Sequence, residues 1–226
     1  MNKSSLSIEA FAEKIPQQLR SLSGSVFYSG RHAFSARSDL YVLGVNPGGD
    51  PEAHDTETVD SHTQCVLTTF ADDWSAYRDE SWKGAAPGTH GMAPRVLHLF
   101  AELGVNPGSV PCSNLIFERS RREADLIDKL PTLADRCWPF HAYAIEMLQP
   151  RVVLCFGKTV GNFVRQRLCA TTLIAEFVEQ NNRRWRSESF TSTNKDMTVV
   201  VATHPSIADW TAPNTNPTQL VKQALK

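Results

Sequence analysis

The stretch VVLCFGKTVGNFV, residues 152–164, changes its hydrophobic period at a single glycine. Val152–Phe156 is a short, continuous apolar run rich in β-branched residues, which reads as a strand buried on both faces. Residues 159–168 carry a helical pattern, and Gly157 with Lys158 reads as the turn between the two. Gly157, Lys158 and Thr159 could suggest a phosphate-binding loop. That loop needs Gly-x-x-x-x-Gly-Lys-Ser/Thr, and PRVVLCFGKT has no first glycine.

Three further runs share the strand character: Leu40–Val45, Pro111–Phe117 and Val199–Ala202. Helical spacing lies between them, over Ala93–Leu103, Leu133–Leu148 and Thr159–Leu168, with a last helix over Pro217–Leu225. Strand and helix alternate, so an α/β fold with a mainly parallel sheet follows. The expected architecture is a three-layer αβα arrangement around a four-stranded, mainly parallel sheet. Two segments stand outside the alternation. Residues 49–92, acidic between 50 and 80, are expected to form an insertion with a helix or two that covers the sheet edge. Residues 172–190 read as a β-hairpin turning at Asn181 and Asn182. No Pro/Gly/Ser-rich linker divides the chain, so residues 1–226 read as a single domain.

The bulk properties exclude some classes. The chain has 226 residues, 41% hydrophobic and 21% charged, which is ordinary globular composition. No apolar run approaches the roughly 20 residues of a membrane span. The N-terminal MNKSSLSIEAFAEKIPQQ lacks an apolar secretory core, so a cytoplasmic location is expected. The 5 cysteines contain no Cys-x-x-Cys pair and suggest neither a disulfide framework nor a zinc site. Net charge is −1, but residues 1–113 carry 8 Lys+Arg against 13 Asp+Glu, and residues 114–226 carry 15 against 11. Positive charge gathers in ERSRR (118–122) and RRWR (183–186), read either as solvated surface or as a footprint for a polyanion.

In an open parallel sheet, ligands bind beyond the carboxyl ends of the strands. Asn46 follows the first run, Asn114 lies in the second, Gly157-Lys158-Thr159 follows the third and Thr203-His204-Pro205-Ser206 the fourth. If the strands are parallel, all of them face one edge. GVNPG occurs twice, at 44–48 after a strand and at 104–108 after a helix. The second copy needs only a helix cap at Gly104 and a turn at Asn106-Pro107-Gly108.

GVNPG at 44–48 resembles the first motif of the uracil-DNA glycosylase superfamily, in the Asn form of its mismatch-specific and single-strand-selective branches. THPS (203–206) is similar to the second motif. CSNLIF (112–117) is similar to the strand whose Asn reads the base, and VVLCFGKTVGNFV to the strand–glycine–helix segment between the motifs. The resemblance covers four short segments in order. It implies hydrolysis of the N-glycosidic bond of uracil or another deaminated base in DNA, with the base flipped out of the stack. Asn46 would position water and His204 would donate to O2 of the leaving base. Asn114 would pair with the base edge, with His90 and backbone amides near Gly48 and Gly49 lining its pocket. Ser206 would contact phosphate, and Ile207 or Trp210 would wedge into the stack. Arg119, Arg121, Arg122, Lys158 and Arg184 would supply the basic rim that DNA needs. The resemblance implies a monomer acting on single- or double-stranded DNA, with no membrane partner, no metal and no cofactor. The iron–sulfur branch is excluded by the scattered cysteines.

The family's stacking aromatic falls in GTHGMAP (88–94), which has His90 and Met92 and no Phe, leaving Trp82, Trp74 or His90 for that role. The same groups also fit a module that binds nucleic acid or nucleotide without cleavage, or a hydrolase of a free nucleoside.

Overall fold

The computed structural model describes residues 6–192 and 197–226. Its strands are β1 (Leu40–Gly44), β2 (Cys112–Asn114), β3 (Val152–Phe156), β4 (Ala170–Val178), β5 (Arg186–Ser192) and β6 (Thr198–Ala202). Its helices are α1 (Ile8–Ala12), α2 (Val59–Thr68), α3 (Ala76–Asp79), α4 (Ala93–Leu103), α5 (Leu130–Leu148), α6 (Lys158–Arg167) and α7 (Thr218–Ala224).

The chain is α/β, with a six-stranded mixed sheet in the order β2-β1-β3-β6-β5-β4. β2, β1, β3 and β6 pair in parallel, and β5 and β4 continue the sheet antiparallel. Both faces of the parallel part are covered, which explains the unbroken apolar runs, whereas β4 at the far edge is mostly exposed. Leu40, Val42, Val152, Leu154 and Val200 join Phe100 of α4 and Leu220 of α7 on one face. Tyr41, Leu43, Val153, Cys155 and Val201 join Phe11 of α1, Phe140 of α5 and Val164 of α6 on the other.

The expected four-stranded sheet is too small. The hairpin is present, with Asn181 Oδ1 accepting from the N–H groups of Arg183 and Arg184 at its turn. It is not an accessory, however, because β5 hydrogen-bonds β6 in the register Ser189↔Val200 and Glu188↔Val201. The buried positions of β5 include Ser187, Ser189 and Ser192, so no apolar alternation marked it as a sheet strand. The second parallel strand is also shorter than the apolar run suggested. It ends at Asn114, after which Leu115 and Ile116 still donate to the carbonyls of Gly44 and Val45.

The acidic insertion forms α2 and α3 as expected, but the outer edge of β2 is taken by residues 23–29. Phe27 bridges Ser113 antiparallel, Tyr28 N–H donates to Cys112 O at 2.9 Å, and Ser113 Oγ donates to Val26 O at 2.6 Å. This satisfies edge groups that would otherwise be left open. Among the described residues, no helix is long and apolar enough to cross a membrane.

The second GVNPG behaves as a cap and turn. Gly104 ends α4 at φ 70°, and Asn106 Oδ1 accepts from Gly108 N–H at 2.9 Å. A Cβ on Gly108 would sit 1.9 Å from Asp73 O, whereas one on Gly48 would meet nothing within 4 Å. Gly108→Ala is therefore expected to destabilise the protein by about 1–3 kcal/mol through overpacking. Gly48→Ala should fall within about 0.5 kcal/mol, as for open surface positions. Urea unfolding of the two variants measures the difference.

Candidate functional site

β1, β3 and β6 end at one edge of the sheet, and a cleft of about 500 Å³ opens there. Val45, Phe156 and Ala202, at the ends of these three strands, line it. Glu123 and the start of α6, Lys158 and Thr159, also contribute to the lining, and Arg184, Trp185 and Arg186 come from the hairpin. Gly157 makes the turn from β3 into α6 at φ 93°, a conformation L side chains rarely adopt, and its N–H donates to Ala202 O at 2.8 Å. That bond ties the end of β3 to the end of β6 and sets Gly157 against the Cβ of His204, 3.5 Å from where a Cβ of its own would lie.

His204 lines the cleft, half-buried. Its Nδ1 accepts from Ser206 N–H at 3.0 Å, and the Ser206 hydroxyl lies 2.8 Å from the same nitrogen. A backbone nitrogen can only donate, so Nδ1 carries no proton and the neutral ring holds its hydrogen on Nε2. Burial pushes the imidazole below its ordinary pKa, with the Glu123 carboxylate pulling the other way. His204 is thus a neutral Nε2–H donor at neutral pH. Ser206, expected on phosphate, instead orients this ring.

Asn46 lies just past the end of β1, next to Val45, and is itself not among the residues that line the cleft. Its Nδ2 donates to Pro47 O at 2.8 Å and to Ser120 Oγ at 2.9 Å, with Glu118 O at 3.5 Å. Ser120 Oγ in turn donates to Arg122 O at 2.9 Å, so it must accept from the amide. The NH2 is therefore fixed, and Oδ1 accepts from no described residue.

Asn114 is buried at 4% exposure beside the end of β1, one strand further from the cleft, and is not among the lining residues. Its Oδ1 occupies the space a Cβ on Gly44 would need, at 2.2 Å, and its Nδ2 makes no hydrogen bond of good geometry, with the Tyr28 hydroxyl beside it as the acceptor the electrostatics point to. A buried donor left so is uncommon and costs free energy when nothing accepts from it.

The other sequence-derived candidates divide. Lys158 and Ile207 line the cleft, and Ile207 is 53% exposed. Trp210, the other expected wedge, is fully buried, with its Nε1 donating to Thr203 O at 3.1 Å, so it is a core residue. Trp74 is likewise buried and stacks on Phe70. Trp82 donates from Nε1 to Glu80. His90 precedes α4 and does not line the cleft, nor do Gly48 and Gly49. Gly48 O instead accepts from Arg119 Nη1 at 2.7 Å.

The basic rim is only partly free. The acidic insertion pairs with two of the three arginines of ERSRR: Arg119 with Glu57 at 2.9 Å, and Arg121 with Asp50 at 2.7 Å and Glu52 at 3.7 Å, while Arg122 is exposed and does not line the cleft. The Arg121 guanidinium holds the Asp50 carboxyl below its usual range. Lys158, Arg184 and Arg186 remain on the cleft, and Arg186 also pairs with Glu176 at 2.6 Å.

Two lining residues were not picked out from the sequence. Trp185 is a cleft aromatic, with the Arg183 guanidinium 4.0 Å from its ring centroid. Its signal was the tryptophan inside RRWR. Glu123 had no signal beyond its place after ERSRR. Among the described residues, no group of three or more His, Cys, Asp or Glu side chains could hold a metal ion.

The histidine geometry is measurable. Nitrogen-15 NMR should show His204 as the Nε2–H tautomer, with a titration midpoint below the ordinary histidine value. A midpoint at or above that value would contradict a buried, neutral donor.

No protein-family model matches the chain, and no curated protein matches its sequence.

Proposed function

We propose that the protein hydrolyses N-glycosidic bonds in DNA, removing uracil or another deaminated base as a uracil-DNA glycosylase-like enzyme in base excision. The observation that carries this reading is the neutral His204, whose Nε2–H is left to donate at the strand-end cleft while Nδ1 is occupied. Cleavage builds negative charge on the departing base, and a preorganised donor stabilises that charge more than it stabilises the bound substrate.

The remaining groups support the same chemistry. Asn46 Oδ1 accepts a hydrogen from the attacking water and orients it, with the NH2 group held by Pro47 and Ser120. Trp185 stacks on the flipped base, Ile207 enters the gap it leaves, and Lys158, Arg184 and Arg186 meet the phosphates. Helices on both faces of the sheet suit the three-layer αβα arrangement of that superfamily. The partner is single- or double-stranded DNA, bound by one copy of the chain.

A second reading has its own support. Asp50, Glu52 and Glu57 pair with Arg119 and Arg121 of ERSRR, which shortens the basic track. A free nucleoside or nucleotide would need only the cations of the cleft.

Oligonucleotides carrying uracil, hypoxanthine or xanthine, single- and double-stranded, together with the free nucleosides, separate the two readings. Cleavage in the oligonucleotides is expected. Cleavage of the nucleosides alone favours the second reading, and no cleavage of either by folded protein removes both. Asn46→Ala and His204→Ala should each slow cleavage by roughly 10²-fold or more, as when a positioning group or charge-stabilising donor is lost. Asn106→Ala, in the other GVNPG, should leave the rate unchanged.

A further inference from the structure

Hydrolysis releases a proton from the attacking water, and the groups assigned so far cannot take it. An amide such as Asn46 is not a useful base. His204 carries its hydrogen on Nε2 and accepts from Ser206 at Nδ1, so neither ring nitrogen is free. The charged and titratable groups lining the cleft are Glu123, Lys158, Arg184, Arg186 and His204. Of these, Glu123 alone is anionic.

Glu123 reaches the cleft because residues 118–123 are fastened along the first GVNPG. Ser120 N–H donates to Pro47 O at 3.1 Å, and Gly48 and Ser120 form a parallel bridge. Ser120 Oγ accepts from Asn46 and donates to Arg122 O. Glu123 is the next residue, so the segment that holds Asn46 leads directly to the carboxylate. α6 supplies the second tether, with Thr159 Oγ1 donating to Glu123 Oε1. Oε2 makes no hydrogen bond or ion pair with the described residues.

We propose that Glu123 is the catalytic base of this cleft, taking the water proton on its free Oε2. The inference rests on the glycosidic reading above. The water oxygen bonds to the sugar anomeric carbon as its proton passes to Oε2. The bond from that carbon to the base nitrogen breaks, and its electron pair leaves with the base, which His204 steadies through Nε2–H. The proton then leaves Glu123 for the departed base or solvent, which restores the carboxylate. Nothing is oxidised or reduced. A carboxylate beside the sugar also stabilises the positive charge that develops on it, as paired carboxylates do in sugar hydrolases.

A structural role for Glu123 at the start of α6 makes a different prediction. Glu123→Gln keeps an acceptor for Thr159 and removes only basicity and charge. Single-turnover cleavage by the wild type and Glu123→Gln is compared from acidic to neutral pH, on the base the wild type removes. The variant should be slower by about 10²–10⁴-fold, the usual contribution of a general base. The wild-type rate should fall toward acidic pH, and the variant should lack that acid limb. Thr159→Val, which frees the carboxylate but retains it, should lose less rate and keep the limb. Wild-type speed in Glu123→Gln, an unchanged pH profile, or equal losses in the two variants would overturn the proposal while leaving the glycosidic reading intact. A wild type that cleaves nothing overturns that reading and this one with it.

Discussion

The whole site depends on the parallel pairing of β1 and β6 on either side of β3. The registers Leu43↔Cys155 and Phe156↔Ala202 bring three strands to an end at nearly the same height. Every side chain in β1 and β3 is buried, so a one-residue slip would exchange the two faces and bury the wrong set against each helix layer. The register is therefore rigidly held, and whatever follows each strand is held with it. Val45, Gly157 and His204 line one cleft for that reason, and Asn46 follows Val45 at the same edge of the sheet.

Short polar contacts then refine what the strands place. Asn46 is oriented by the loop at 118–122, and His204 by its own neighbour Ser206. In both cases one end of an amphoteric group is occupied by a partner that can act in only one sense. The opposite end is left with a defined role: an acceptor oxygen on Asn46 and a donor nitrogen on His204. Burial keeps the imidazole neutral, so its donor role does not depend on a full charge facing the cleft.

Charge is arranged on a larger scale. The insertion folds its acidic residues onto the arginines of ERSRR, and Arg119 also reaches back to Gly48 O. The Arg121 pairs are exposed and each worth little to stability, whereas the Arg119 side chain is mostly buried against its exposed partner Glu57. Their main consequence is spatial, because they leave the hairpin and the start of α6 as the cationic side of the cleft. The two basic clusters thus take unlike roles. Two arginines of the first hold the acidic insertion, and the second lines the cleft.

The sequence by itself determined the alternation of strand and helix, the hairpin, the helix end at Gly104 and the sheet edge that Lys158 and His204 share. Those features are local: hydrophobic period, turn chemistry and the carboxyl-end rule act within a few residues. It also separated the two GVNPG copies, since a strand precedes one and a helix the other. Only the tertiary structure decided that the hairpin is part of the main sheet, because three of the four buried positions of β5 are serines and only Phe190 is apolar, so no apolar alternation marks the strand. Only the tertiary structure turned Trp210 and Trp74 into core residues and brought Trp185 to the cleft, since an aromatic side chain serves either place and only its neighbours distinguish them. The clearest case is Glu123. No period or motif marks it, and it reaches the cleft only through Ser120 on one side and Thr159 on the other. Such contacts join residues far apart in sequence, where local patterning carries no information.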